Sequence, residues 1–344
     1  QSVCREIAKG GAVKLPINPN ATIYFGGGTP STLPIECIAQ IVDALKEHKY
    51  WQEPAEATIE VNPGTADLEK LKALRDLCFD RISFGVQSLN DVELKTIGRI
   101  HSAQEALQAI AWAKEAGFNR ISADLIYGLP GQTLTSLRKT LEELTAIGIE
   151  HVSVYGLIVE EGTPLCTLIN EGKLSLPDED TAADMYEFVQ NFLKEQGFER
   201  YEISNYAKNG QYSKHNLVYW KYQPYAAFGA AACGFDGSFR FTASEAVSEY
   251  INQTQAAVIY NEENLSNEEL LGEFMFMGLR KTSGANLREA RERFGIDVME
   301  HFASEMEPFF QKGMLAYDSE KEVLYLTEAG MKLGNLIFEI FVTI

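Results

Sequence analysis

From position 21 to about position 204 the chain alternates short β-branched runs with longer stretches whose apolar residues recur every three or four positions. Thr22-Ile23-Tyr24-Phe25, Thr58-Ile59-Glu60-Val61, Arg81-Ile82-Ser83-Phe84-Gly85-Val86, Ile121-Ser122-Ala123-Asp124-Leu125-Ile126 and His151-Val152-Ser153-Val154-Tyr155 read as strands. Ile35 to His48, Asp67 to Leu77, Ala103 to Ala116 and Leu134 to Ile147 read as amphipathic helices lying outside a sheet. The repeat has the size of a βα unit, so five parallel strands joined by right-handed crossovers are expected, as a barrel or an open wound sheet. Glycine and polar residues gather where strands stop: Gly26-Gly27-Gly28-Thr29-Pro30, Asn62-Pro63-Gly64, Gln87-Ser88 and Tyr127-Gly128-Leu129-Pro130-Gly131. Carboxyl ends of parallel strands form the active face of such folds, which puts the candidate site residues on one rim.

After position 204 the pattern changes. Tyr206 to Gly237 is rich in Tyr, Gly and Ala and reads as irregular structure with short strands. Ser266 and Glu269 form a potential capping box before a helical stretch, then Met314–Tyr317 and Val323–Leu326 read as a hairpin before a last helix, an order like that of a winged helix. Three units are expected: residues 1–204, a connecting subdomain at 205–264 and an α+β accessory domain at 265–344. A length of 344 residues agrees, being more than one compact core usually holds.

Charge narrows the partners. The net charge is −19, from 49 acids against 30 bases, and residues 265–344 carry fourteen acids against eight bases. Tracking phosphates needs clustered Lys and Arg, so no nucleic-acid partner is expected, even for the winged-helix-like module. The longest small-apolar run, Tyr225 to Phe235, is too short to span a bilayer, and the polar opening Gln1-Ser2-Val3-Cys4 does not resemble a signal peptide. A cytoplasmic location is the expectation, with membrane association at most peripheral. Cys4, Cys37, Cys78, Cys166 and Cys233 lie far apart, show no metal-binding spacing and read as reduced, mostly buried packing residues.

Three glycines before Thr29-Pro30 let backbone lie flat against a ligand, or simply make a tight turn; their spacing is not that of a Rossmann phosphate loop. Glu60 and Asp124 stand inside apolar strands, where an unpaired carboxylate is costly. Either they pair internally with Arg99, or Glu60, Asp124, Arg99 and Gln87 receive a zwitterionic ligand, the acids taking its amine or ribose and Arg99 its carboxylate. His215, followed by Asn216, Tyr219 and Trp220, is either a hydrogen-bonded histidine in an aromatic core or an axial ligand to a planar macrocycle. His48, His101, His151 and His301 show no ligand spacing and read as solvated or capping residues. No G-x-S-x-G elbow, P-loop or H-E-x-x-H is present, so hydrolase and kinase readings lack their core residues.

In order, spacing and identity, Gly26-Gly27-Gly28-Thr29-Pro30, Glu60-Val61-Asn62-Pro63, Gly85-Val86-Gln87-Ser88 and Asp124-Leu125-Ile126-Tyr127-Gly128-Leu129-Pro130-Gly131-Gln132 resemble the coproporphyrinogen oxidase-like branch of the radical S-adenosylmethionine (SAM) family. His215-Asn216-Leu217-Val218-Tyr219-Trp220 is similar to the H-N-x-x-Y-W segment of that branch's haem chaperones. The resemblance implies a partial (β/α)₆ barrel with a C-terminal accessory domain, SAM contacts from Gly27, Gly28, Thr29, Glu60, Gln87, Arg99 and Asp124, and His215 as the haem-binding candidate. It also implies haem transfer to acceptors such as respiratory enzymes, a homodimer and, as the alternative activity, oxygen-independent coproporphyrinogen III oxidation.

The family's [4Fe–4S] cluster is held by a C-x-x-x-C-x-x-C loop after the first barrel strand, ahead of the GGGTP strand. Neither that loop nor that strand is found between Gln1 and Gly26, and Cys4 has no partner three or four residues away. Either a cluster-bearing segment belongs before Gln1 or the cluster has been lost. The first is favoured, because a five-stranded remnant would leave a parallel edge unpaired and apolar surface bare.

Overall fold

Residues along the first strands alternate between two faces, one apolar and one polar, and this alternation sets the architecture. The computed structural model describes residues 1–16, 18 and 20–342. Helix α1 (Ser2–Lys9) leads into β1 (Thr22–Phe25), α2 (Ile35–Glu47), β2 (Glu56–Val61), α3 (Leu68–Asp76), β3 (Arg81–Gln87), α4 (Asp91–Thr96), α5 (Ala103–Glu115), β4 (Arg120–Tyr127), α6 (Leu134–Ala146) and β5 (His151–Gly156). Then come α7 (Pro164–Asn170), α8 (Glu179–Glu195), β6 (Glu199–Arg200) and β7 (Asn205–Ala207). The sheet order is β1-β2-β3-β4-β5-β7-β6; the first five strands are parallel, as expected, and β7 runs antiparallel to β5 and β6.

Ala57, Ile59, Val61, Ile82, Phe84, Val86, Ala123, Leu125 and Val152 point to one side, where they are buried with Ile38, Val42, Leu71, Leu74, Ile110, Leu137 and Leu141 of the helices. Each such aliphatic side chain gains about 1.5–3 kcal/mol from burial, which holds the helices on that face. The intervening residues are polar and in register: Glu60 lies beside Ser83, Ser83 beside Ser122, Ser122 beside His151, and Asp124 beside Ser153. Glu60 and Asp124 are thus not intruders in apolar strands but members of a continuous polar lining. Helix α8 was not among the expected helices, yet Asp178 caps it and Met185, Val189, Phe192 and Leu193 form its buried stripe.

The segment read as irregular contains a helix, α9 (Lys214–Trp220), which carries the whole H-N-x-x-Y-W sequence. Two acceptors start it. The Ser213 side chain accepts the Asn216 N–H, and Glu56, at the first position of β2, accepts the N–H groups of Lys214 at 2.9 Å and His215 at 3.0 Å. These are N–H groups that no helix satisfies internally, and a carboxylate from a strand does so here. Glu56 is fully buried and also pairs with Arg120 at 2.6 Å. Burial opposes its charge, but Arg81, Arg120 and the two N–H groups outweigh burial and hold the carboxyl below its usual range.

Strands β8 (Cys233–Phe235), β9 (Phe239–Ala243) and β10 (Tyr260–Asn264), with α10 (Val247–Ala256) inserted, make an antiparallel sheet. Its elements are tied to α1 by Glu6, which accepts the hydroxyls of Tyr250 and Tyr260 and the Gly229 N–H. Helix α11 (Asn267–Arg280) begins at the Ser266/Glu269 capping box. It packs in a second core with the strand pair Leu315–Asp318 and Val323–Leu326 and the helix Gly334–Val342. No described helix is long and apolar enough to cross a membrane. The cysteines depart from expectation: Cys37 and Cys78 are exposed and Cys4, Cys166 and Cys233 half-buried, so none is a sealed core residue.

Replacing Glu56 by Ala takes away the buried carboxylate of the Arg120 pair, leaving that guanidinium to Asp80 and the Tyr212 carbonyl, and releases the start of α9. The expected cost, read from the urea unfolding midpoint, is about 3–5 kcal/mol, the usual loss when one member of a buried ion pair is removed. A loss below about 1 kcal/mol, the level of an exposed pair, would contradict this anchoring role.

Candidate functional site

Beyond β1 the chain turns through Gly26, Gly27 and Gly28, all exposed. At Gly26 a Cβ would lie 2.4 Å from the Tyr24 ring and 2.8 Å from the Glu60 carboxyl carbon, so only glycine fits above that pair. Gly27 has φ +76°, and nothing lies within 4 Å of where a Cβ would stand at Gly27 or Gly28. A bare backbone shelf with open space on one side is what a closely approaching ligand requires.

Below the shelf, Glu60 accepts the Tyr24 hydroxyl at 2.6 Å and the Gly27 N–H. Burial and the Asp124 carboxylate raise its pKa in spite of these donors. Asp124 accepts the Ser83 hydroxyl at 3.1 Å, and burial likewise raises its pKa, against the pull of Ser153, Arg81 and Ser83. Neither acid pairs with Arg99. That guanidinium instead donates to the Gly85 carbonyl at 2.7 Å, next to the Gln87 amide, and its Nε is buried without a partner. Gln87 holds φ +65° beside an irregularity in the β3–β4 register, which turns its side chain toward Arg99. Two acids whose pKa values burial raises and one guanidinium with a spare donor are complementary to a zwitterion. The shelf, the acids and the arginine therefore fit SAM, whose ammonium and sulfonium are cationic and whose carboxylate is anionic. Thr29 stands exposed at the end of the shelf.

The described residues do not fit an iron–sulfur cluster. No group of three His, Cys, Asp or Glu side chains converges among them, and all five cysteines stand apart.

The shelf also borders a cavity of about 1210 Å³, lined by β1, His215, Tyr219, Tyr225, Phe228 and Cys233 among others. Along the side of β1 away from β2, no further strand is paired among the described residues. The His215 ring stacks on Tyr24 with centroids 4.8 Å apart and planes 16° apart. Its Nδ1 lies 2.8 Å from the Thr22 hydroxyl and its Nε2 2.9 Å from the Tyr219 hydroxyl. The four-residue spacing of His215 and Tyr219 on one helix makes the second contact. Burial lowers the His215 pKa to about 4, so the imidazole is neutral near pH 7.

Two other histidines are buried, not solvated as expected. His151 meets the hydroxyls of Ser122 at 2.7 Å and Tyr201 at 2.7 Å, and His101 lies 3.1 Å from the Val86 carbonyl. Both face groups inside the fold, which nothing in their sequence surroundings indicates. Thr22, Tyr24 and Glu56 were also missed as site residues; only the period-two spacing of Glu56, Thr58 and Glu60 could have revealed that face.

Residues 11–144 match the model of the radical SAM superfamily and residues 265–333 that of the HemN C-terminal domain. The heme chaperone HemW of Bacillus subtilis (strain 168) is 38% identical over 344 residues, covering 99% of this chain and 89% of that protein. The chain belongs to the HemW family of radical SAM proteins. The HemW of Lactococcus lactis is 36% identical, over 93% of this chain and 84% of that protein. In fold, the chain superposes on the radical SAM enzyme coproporphyrinogen III oxidase from Escherichia coli with a TM-score of 0.80, over 99% of this chain and 82% of that one; at 20% identity this shows the fold alone.

A histidine with a folded pKa near 4 and an unfolded value of 6.5 adds stability that is complete above about pH 6.5 and is lost as the pH falls toward 4. Labelled-histidine NMR should show the His215 ring holding its neutral shift down to about pH 5. A midpoint at the ordinary value would refute the buried, neutral state.

Proposed function

We propose that this protein is a haem chaperone that takes haem into the cavity beside β1 through His215 and releases it to acceptor proteins. The observation that carries the reading is a neutral imidazole, set by α9 on the wall of a cavity of about 1210 Å³ and stacked on a tyrosine. Neutral imidazole is the form that binds iron. In the tautomer that donates Nδ1–H to Thr22, the lone pair would sit on Nε2 under the Tyr219 hydroxyl, which burial keeps protonated. Metal-binding histidines are commonly oriented in this manner, one nitrogen fixed by the protein and the other facing the metal. The likeness to HemW proteins over nearly the whole chain supports the same reading.

SAM belongs to the proposal as second ligand, lying on Gly27, Gly28 and Thr29 with its ammonium at Glu60 and Asp124 and its carboxylate at Arg99, beside Gln87. When bound there, SAM would supply a bulky cation beside the two acids. What this chain's residues do is bind and orient: a cation between the two acids offsets the burial that raises their pKa values, and Arg99 Nε gains an acceptor. A homodimer and transfer to respiratory acceptors at the membrane face complete the proposal. The surplus of 19 negative charges favours docking on protein over docking on anionic lipid.

Haem titration followed by absorbance tests the reading. His215→Ala should weaken haem binding at least about tenfold, a loss of about 1.4 kcal/mol or more, and unchanged affinity would remove His215 from the site. Gly28→Val should leave the urea midpoint in place, since its Cβ meets open space, while weakening SAM binding on calorimetry. Wild-type SAM affinity in that variant would move SAM off the glycine shelf.

A further inference from the structure

Tyr24 touches both proposed sites. Its hydroxyl donates to Glu60 at 2.6 Å, on the SAM side, while its ring face stacks on His215 at 4.8 Å, on the haem side. Burial and the Glu60 carboxylate raise its pKa far out of reach, so the phenol remains a donor at every working pH. The Tyr24 ring and Glu60 together fill the space over Gly26, leaving no room for a side chain there. Glu60 in turn holds the Gly27 N–H. The glycine shelf, Glu60, Tyr24 and His215 therefore form one unbroken series of contacts, from the surface on which SAM would lie to the imidazole that would bind iron.

We propose that Tyr24 is the positioning residue through which SAM occupancy alters His215 and hence haem affinity. This rests on the two-ligand reading above and adds to it a route of communication. The physical argument has two parts. A ligand ammonium arriving at Glu60 competes with the Tyr24 hydroxyl for the same carboxylate, and a short, charge-assisted hydrogen bond of this kind is sensitive to such competition. The shelf and the ring are also in direct contact, and a close-packed group moves together, so pressure on Gly27 and Gly28 is felt at the ring. His215 has its own pair of hydroxyl partners, Thr22 and Tyr219. A shift of the Tyr24 ring changes how the imidazole sits between them, and so how readily Nε2 leaves Tyr219. Coupling of this sort is reciprocal: the factor by which SAM changes haem affinity must equal the factor by which haem changes SAM affinity.

The test reads His215 directly and needs no haem. With ¹³C-labelled histidine in the full chain, five ring signals are expected, and His215→Gln identifies the one of interest. SAM added to the wild type should displace that signal and leave His301, outside both the contact series and the cavity lining, unmoved. Tyr24→Phe keeps the stacked ring and removes the hydroxyl; its His215 signal should start at the wild-type position and shift by less than about a third as much on SAM addition. Tyr24→Leu removes the stack too, and its signal should start displaced by the loss of ring current. An undiminished response in Tyr24→Phe, or no response in the wild type at saturating SAM, would overturn the proposal. Haem titrations with and without SAM then separate the two claims. If haem binds independently of His215 the chaperone reading fails while the NMR response stands, whereas if haem binds through His215 but the SAM effect persists in Tyr24→Phe, the coupling route fails alone.

Discussion

Everything about the candidate haem site depends on one buried carboxylate. Glu56 lies at the start of β2 with no exposure, and it accepts from Arg120, from Lys214 N–H and from His215 N–H. A charge in that position is tolerable only because it is paired with a guanidinium and satisfied by backbone donors. The consequence is positional. The first turn of α9 is fixed against the sheet, and the His215 ring it carries lies over Tyr24, with Thr22 and Tyr219 at its two nitrogens. An imidazole attached to a freely moving segment would keep its ordinary basicity; this one is clamped in a buried place and stays neutral.

The same logic runs up the polar lining of the sheet. Period-two alternation brings Glu60, Ser83, Ser122, Asp124 and Ser153 onto one face, and the parallel register lays them side by side. What distinguishes the upper end is imbalance. Near Glu56 the acids and bases neutralise one another, whereas near Glu60 and Asp124 the acids are held up by burial and Arg99 keeps an unused donor. Buried polar groups left unmatched in this way are the kind of imbalance that gathers at functional sites.

How much of this could be read from the residues alone follows from the range of each interaction. The five parallel strands and their helices were legible because hydrophobic periodicity is local, and the capping box at Ser266 because it spans only three residues. The loop motifs were legible as a family likeness. Helix α9 was not, since its start is satisfied by an acid that lies 158 residues earlier in the chain from Lys214. His151 and His101 were misplaced for the same reason: their partners come from other strands and loops. Of the two alternatives for Arg99, pairing with Glu60 or Asp124 is not the one seen: the guanidinium donates to the Gly85 carbonyl, beside a shift in the β3–β4 register that sequence does not signal. The reading of the cysteines as buried failed because composition reports the habit of a residue type and not where a particular one lies.

In the proposed function, Glu56 and α9 present a neutral His215 to iron. Electron–nuclear double resonance on the ferric haem complex of protein labelled with ¹⁵N-histidine tests this at the bond itself. A strong hyperfine coupling from one histidine nitrogen is expected, and it should disappear in His215→Ala. A histidine coupling that survives that substitution, or the absence of any in the wild type, would contradict it.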